Sequence, residues 1–141
     1  MKRLKPITSA GFTLIEILLV IIIIVSLMAV LIPNIRNSMT EAKKGTAEMY
    51  VNKLAGDLAL YEATNGFPPT TQQGLAALVQ KPTSEPIPRK WSQREEKLEP
   101  DPWGMEYQYE YPGKHNKTGF DVFSAGPDRT PGTDDDVGNW K

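Results

Sequence analysis

The sequence has no cysteine. That excludes a disulfide framework, a thiolate metal site and a cysteine nucleophile. An exported domain without disulfides must hold its loops with a core or with a metal. There is one histidine, His115, in a loop pattern beside Gly113 and Asn116. It reads as an exposed surface histidine. There is no glycine-rich phosphate loop and no zinc-ligand cluster, and the scattered serines and aspartates form no triad, so catalysis is not expected. The formal net charge is only −1, with neither a basic run nor basic and aromatic residues interleaved. No nucleic-acid partner is expected.

In contrast, residues 12–33 read FTLIEILLVIIIIVSLMAVLIP, with Glu16 the only charge. A bilayer core about 30 Å thick needs roughly 20 apolar residues as a helix, so this run is long enough to span one. Glu16 is a functional candidate, because a carboxylate in such a run needs a cation or must reach the interface. Both alternatives stand at this point. Pro33 ends the run, and by removing a backbone donor it predicts a kink or local opening. The basic segment before the run carries Lys2, Arg3 and Lys5. It fits an ordinary secretory signal poorly, because the run is too long and no small-residue cleavage site follows it. Basic residues flank both ends of the run, so the charge count does not orient it.

The order Gly11-Phe12-Thr13-Leu14-Ile15-Glu16 resembles the prepilin signal of type IV pilins and of the pseudopilins of type II secretion. The resemblance implies cleavage after Gly11 by a prepilin peptidase on the cytoplasmic side, then N-methylation of Phe12. It also implies that Glu16 pairs with the Phe12 amine of a neighbouring subunit, and that the helix loosens near Pro33 in a filament. Phe12 and Glu16 are four residues apart and share a helix face.

The expected domains are a leader at 1–11, a transmembrane or fibre-core helix at 12–33 and a globular domain at 34–141. Ala47, Tyr50, Val51, Leu54, Leu58 and Tyr61 keep three-and-four spacing, which continues the helix as one apolar stripe. Asn65-Gly66 and Pro68-Pro69 stop it. TTQQGLAALVQKP predicts a helix of two or three turns, capped by Thr70 or Thr71, with Leu75, Leu78 and Val79 docking. Residues 84–100 read as a solvated loop anchored by Trp91. Asp101-Pro102-Trp103-Gly104 is a turn. Alternation in 105–111 and in 120–124 predicts two antiparallel strands joined through 112–119. Trp103 and Trp140 are expected to pack the sheet and the loop. The fold class is α+β, a long helix packed on a small antiparallel sheet.

The tail reads GPDRTPGTDDDVGNW. Pro131-Gly132 can turn Asp134, Asp135 and Asp136 back onto Asp128. An all-oxygen donor set suits calcium, although the spacing differs from the helix-loop-helix calcium motif. On the residues alone, a solvated acidic turn and a calcium loop both remain open. FPPTTQQGLAALV, DPWG and this tail together resemble the major pseudopilins of type II secretion over nearly the full chain, although residues 83–100 match no part of the pattern. The resemblance implies a type IV pilin-like fold with a C-terminal calcium loop. Its ligands would be the side chains of Asp128, Asp135 and Asp136 and the carbonyls of Ala125 and Thr130, with Asp134 a further member.

The resemblance also implies a non-enzymatic subunit that polymerises with itself into a periplasmic pseudopilus and helps drive folded exoproteins across the outer membrane. The implied partners are the prepilin peptidase, minor pseudopilins and an inner-membrane assembly platform. The chain would cross the inner membrane once, with its C-terminal domain in the periplasm. The alternatives are a type IV pilin of a surface fibre and a membrane-anchored calcium-dependent binding module.

Overall fold

The computed structural model describes residues 11–140, without the side chains of Val30, Pro33 and Asn34. Except for Gly11, the expected leader lies outside the described residues. The chain divides into two compact units, Met1–Ser38 and Met39–Lys141. The first helix, α1, spans Leu14–Asn65.

In the first unit, α1 carries the apolar run. Its large side chains from Leu14 to Ile32 are about half exposed or more wherever they are described. Ser26 is accommodated because its hydroxyl donates to the Ile22 carbonyl one turn back, at 2.8 Å, which keeps a polar group satisfied within its own helix. α1 continues through Pro33 without interruption, so the expected local opening does not break the helix. Among the described residues, no helix is long and apolar enough to cross a membrane.

In the second unit, the apolar spacing of α1 becomes a buried face. Ala47, Val51, Leu54, Leu58 and Tyr61 are all essentially inaccessible, as a one-sided 3.6-residue pattern requires. Tyr50 packs at the edge of this cluster. Gly66 ends the helix with a positive φ of 84° and donates its N–H to the Glu62 carbonyl at 2.7 Å, a left-handed stop that glycine adopts without strain.

Helix α2 is Ala76–Val79, one turn rather than the two or three expected. Thr70 caps a separate turn before it: its hydroxyl accepts from the Gln73 N–H at 3.2 Å, and the Gln73 side chain accepts from the Thr70 N–H at 3.1 Å. Gly74 then takes φ +56°, which separates that turn from α2. Leu75 and Leu78 nevertheless dock as expected, while Val79 is half-buried. Trp91 anchors the following loop by donating its indole N–H to the Ala77 carbonyl at 2.8 Å. The same loop buries Glu95, which forms an ion pair with Lys53 of α1.

The sheet has three antiparallel strands in the order β1-β2-β3: β1 is Gln108–Glu110, β2 is Asp121–Ser124 and β3 is Val137–Gly138. Tyr109 faces Val122 and Ser124 faces Val137. β1 is shorter than the alternation predicts because its first residues serve the preceding turn, where the Met105 N–H binds Asp101 and the Met105 carbonyl accepts from the Asp101 N–H. β3 was not expected. Tyr107 and Val122 close the core against α1 and α2.

Candidate functional site

Two regions carry the residues singled out in the sequence, one in each unit. The first is the start of α1. Gly11, Phe12 and Thr13 precede the helix, and Phe12 is 78% exposed. Thr13 is its N-cap: the Glu16 N–H donates to the Thr13 hydroxyl at 3.3 Å and to its carbonyl at 3.1 Å. The four residues Thr13 to Glu16 form the Thr-x-x-Glu pattern of a capping box, a signal present in the sequence that was not read there. Glu16 therefore lies in the first turn, where a carboxylate is favoured by the positive end of the helix dipole. Its side chain is exposed, as are Ile15, Ile17, Leu18 and Leu19. So large an apolar surface marks a face made for lipid or for other protein.

The second region is the acidic loop between β2 and β3. Ala125 and Gly126 are buried at its start, Asp136 is buried at its end, and Asp128, Thr130 and Asp134 are exposed between them. The loop folds back as the sequence anticipates. Asp135 Oδ2 accepts from the Asp128 N–H at 3.3 Å, which brings the later acids to Asp128. Asp128 Oδ1 accepts from the Thr130 N–H at 2.8 Å. Asp136 Oδ2 accepts from the Gly132 N–H at 2.7 Å. The Thr133 hydroxyl, with one proton to give, lies 2.5 Å from Asp135 Oδ1 and 3.1 Å from the Thr130 carbonyl oxygen.

Gly126 makes this closure possible. Its φ is +69°, and a Cβ there would collide with the backbone of Asp135. Gly126 also donates its N–H to the Ser124 hydroxyl at 3.1 Å. Neither Gly126 nor Ser124 was singled out in the sequence, because their roles depend on a residue at the far end of the loop.

The donors available in this loop are all hard oxygens, the chemistry that calcium takes and softer metals do not. Among the described residues, no group of three or more acidic, histidine or cysteine side chains is gathered tightly enough to hold a metal ion. Asp128, Asp135 and Asp136 instead turn oxygens toward the backbone N–H groups of Thr130, Asp128 and Gly132. His115, expected to be a plain surface histidine, is half exposed but lies beside Asp121 and stacks on Trp140.

Comparison with known proteins places this geometry. A family model described as type II secretion system (T2SS), protein G matches residues 34–140. The chain is similar to the type II secretion system core protein G of Dickeya chrysanthemi, 47% identical over 132 residues that cover 92% of this chain and 85% of that one. It is also similar to the core protein G of Pseudomonas aeruginosa, 42% identical over 136 residues, with 93% and 94% covered. Among solved structures it resembles the major pseudopilin from the type 2 secretion system of enterohaemorrhagic Escherichia coli, with a TM-score of 0.67 and 40% identity, covering 74% of this chain and 87% of that one.

Proposed function

The chain belongs to the type II secretion system protein G family, and from that premise we propose how its two sites serve assembly. The protein is a structural pseudopilus subunit of the secretion system, not an enzyme. The observation that carries this is the family match over the whole globular unit, together with a long helix packed on a small antiparallel sheet.

In this reading the apolar run of 12–33 anchors the subunit in the inner membrane before assembly and packs against other copies afterwards. The peptidase cuts after Gly11 and Phe12 is methylated. The freed amine then lies one helical turn from Glu16 and provides the cation that a carboxylate in an apolar setting requires. Pairing between copies would set their axial register. Exposed side chains from Phe12 to Ile32 support this, because such a surface is costly in water and useful only against lipid or protein.

The acidic loop binds calcium in this reading through the carboxylates of Asp128, Asp135 and Asp136 and the carbonyls of Ala125 and Thr130, with Asp134 alongside. The bound ion would neutralise a loop whose acids otherwise repel one another. No disulfide can do that work in this chain. Self-association follows from being a pseudopilus subunit. The prepilin peptidase, the minor pseudopilins and the assembly platform are the further partners proposed.

The test is complementation. A strain lacking its own protein G is given this chain, and both secretion and periplasmic fibres are scored. Restored secretion with short fibres supports the reading. Surface fibres without secretion would favour a type IV pilin, and the absence of both fibres and secretion would overturn the assembly role.

A further inference from the structure

The globular unit carries a groove beside the free edge of its sheet. β1 is the outer strand, so one of its edges pairs with no other strand among the described residues, and such an edge is open to a further chain. A groove of about 550 Å³ runs along it, with Leu75, Leu98, Tyr107 and Tyr109 among its walls. Leu75 and Tyr107 are buried, Leu98 is 38% exposed, and the Tyr109 hydroxyl is fixed by donating to the Pro69 carbonyl at 2.7 Å. Two exposed acids, Glu99 and Glu106, also line the groove and place negative charge at its mouth.

A second surface of the same unit has the opposite character. Residues 86–90 read Pro-Ile-Pro-Arg-Lys. Ile87 is 41% exposed, and Arg89 and Lys90 are exposed beside it. Among the described residues, no ion pair engages either base. The loop is held from within its own subunit. The Gln73 side-chain amide donates to the Ser84 carbonyl at 2.8 Å and to the Pro86 carbonyl at 3.2 Å, the Lys90 N–H donates to the Asn65 side-chain oxygen at 3.1 Å, and Pro88 is buried. Ile87, Arg89 and Lys90 do not line the groove of their own chain. A loop fixed in this way loses little freedom when it docks.

The two surfaces complement each other. The groove offers an apolar floor and two carboxylates. The loop offers an apolar side chain followed by two cations, one of them a guanidinium that matches a carboxylate with paired N–H donors. Pro86 and Pro88 have no N–H, so the loop cannot extend the sheet as a full strand and must dock through its side chains. Extended segments stiffened by proline dock on aromatic-lined grooves in this manner. Loop and groove are different patches of one chain, so their contact is head-to-tail, and repetition of it builds an open fibre when the rotation does not close.

We propose that the 86–90 loop of one subunit docks in the groove beside β1 of the next copy, with Ile87 covering Leu98 and with Arg89 and Lys90 meeting Glu99 and Glu106. The inference rests on the pseudopilus reading above and adds to it a contact between globular units. The apolar run of α1 supplies the larger burial on assembly. The loop contact selects which face meets which, because charge complementarity contributes more to specificity than to affinity.

The experiment uses the full chain in the complemented strain, with fibres counted by electron microscopy. Arg89→Glu with Lys90→Glu, and separately Glu99→Lys with Glu106→Lys, should each cut fibre number about tenfold or more. All four changes together should restore most of the fibres, which a merely structural role would not do. The chain has no cysteine, so an introduced pair gives a second readout that is independent of these charges. Ile87→Cys with Leu98→Cys should oxidise to a ladder of dimers, trimers and longer species, whereas Ile87→Cys with Lys117→Cys, outside the groove, should not. If a charge variant fails to accumulate, the cysteine pairs decide. Wild-type fibre numbers in both double reversals, no ladder from the groove pair, equal ladders from both pairs, or an adduct with another protein in place of a ladder overturns the contact while leaving the assembly reading intact. A wild-type chain that yields neither fibres nor secretion overturns both.

Discussion

The Ser124 hydroxyl donates a 2.5 Å hydrogen bond to Asp101 Oδ2, joining the turn before the sheet to the strand that opens the acidic loop. The other oxygen of Asp101 accepts from the Trp103 N–H at 3.0 Å and the Met105 N–H at 2.8 Å. One buried carboxylate thus shapes the turn and fixes the end of β2. Asp101→Ala should leave three donors without their acceptor and destabilise the protein by about 3 kcal/mol or more. Ser124→Ala should cost about 1–2 kcal/mol. Denaturant melts of the full chain in detergent check both, and an Asp101→Ala melt within error of wild type would disprove the anchor.

Asp121 sets an acid limit. Burial alone would raise its pKa, but the N–H groups of His115 and Asn116, with the His115 side chain, outweigh burial and hold it below the ordinary carboxylate value. A depressed pKa means that the folded state binds fewer protons here. Its stabilisation is present above the unfolded value, about 3.9, and is lost as pH falls through the folded value. Asp57 has the opposite sign. Burial first and Glu95 second raise its pKa, so its contribution is present at low pH and lost as pH rises through the raised value. Melting temperature against pH should show a shallower acid limb in Asp121→Asn and a gain near neutrality in Asp57→Asn.

Arg129 has a φ of +60°, the left-handed conformation, and is the one non-glycine residue described with a positive φ. A side chain there costs about 1–2 kcal/mol, partly offset because glycine loses more entropy on folding. Arg129→Gly should therefore stabilise the globular unit by about 0.5–1 kcal/mol. A lower melting temperature would mean that the arginine side chain makes a contact outweighing the strain.

Glu16 has two candidate roles, charge partner and first-turn acid, and Thr13 separates them. Glu16→Ala should leave leader processing intact and impair fibre formation. Glu16→Gln keeps a polar group in the capping position but removes the charge, so pairing predicts that it fails too. Thr13→Ala should weaken only the helix end, by about 1 kcal/mol, and leave fibres in place. Electron microscopy of fibres from the three variants distinguishes the roles. Normal fibres from Glu16→Gln would remove the pairing argument.

The residues read correctly from sequence are those whose role is local. Ala47, Val51, Leu54, Leu58 and Tyr61 repeat at helical spacing and are buried. Asp101 to Gly104 close a turn, with the Gly104 N–H donating to the Asp101 carbonyl at 2.9 Å. The Thr13 cap is equally local, since its partner Glu16 is three residues away.

The errors have a different origin. Glu95 was read as part of a solvated loop, yet it is buried against Lys53, 42 residues earlier in the chain. His115 is exposed, as its loop setting predicts, but its contacts with Trp140 and Asp121 join residues far apart in the chain. β3 has too few residues to show a period and exists only because β2 offers an edge.

The sequence alone determined where α1 ends, which of its faces is buried in the globular unit and which family the motifs resemble. Periodicity, glycine stops and short motifs act over a few residues and need no partner elsewhere. Tertiary structure decided that α2 is a single turn, that β1 is cut short by the Asp101 turn and that the acidic loop closes over Gly126. Each of these depends on groups distant in sequence competing for the same backbone hydrogen bonds or the same space, and that competition is settled only when the chain is packed.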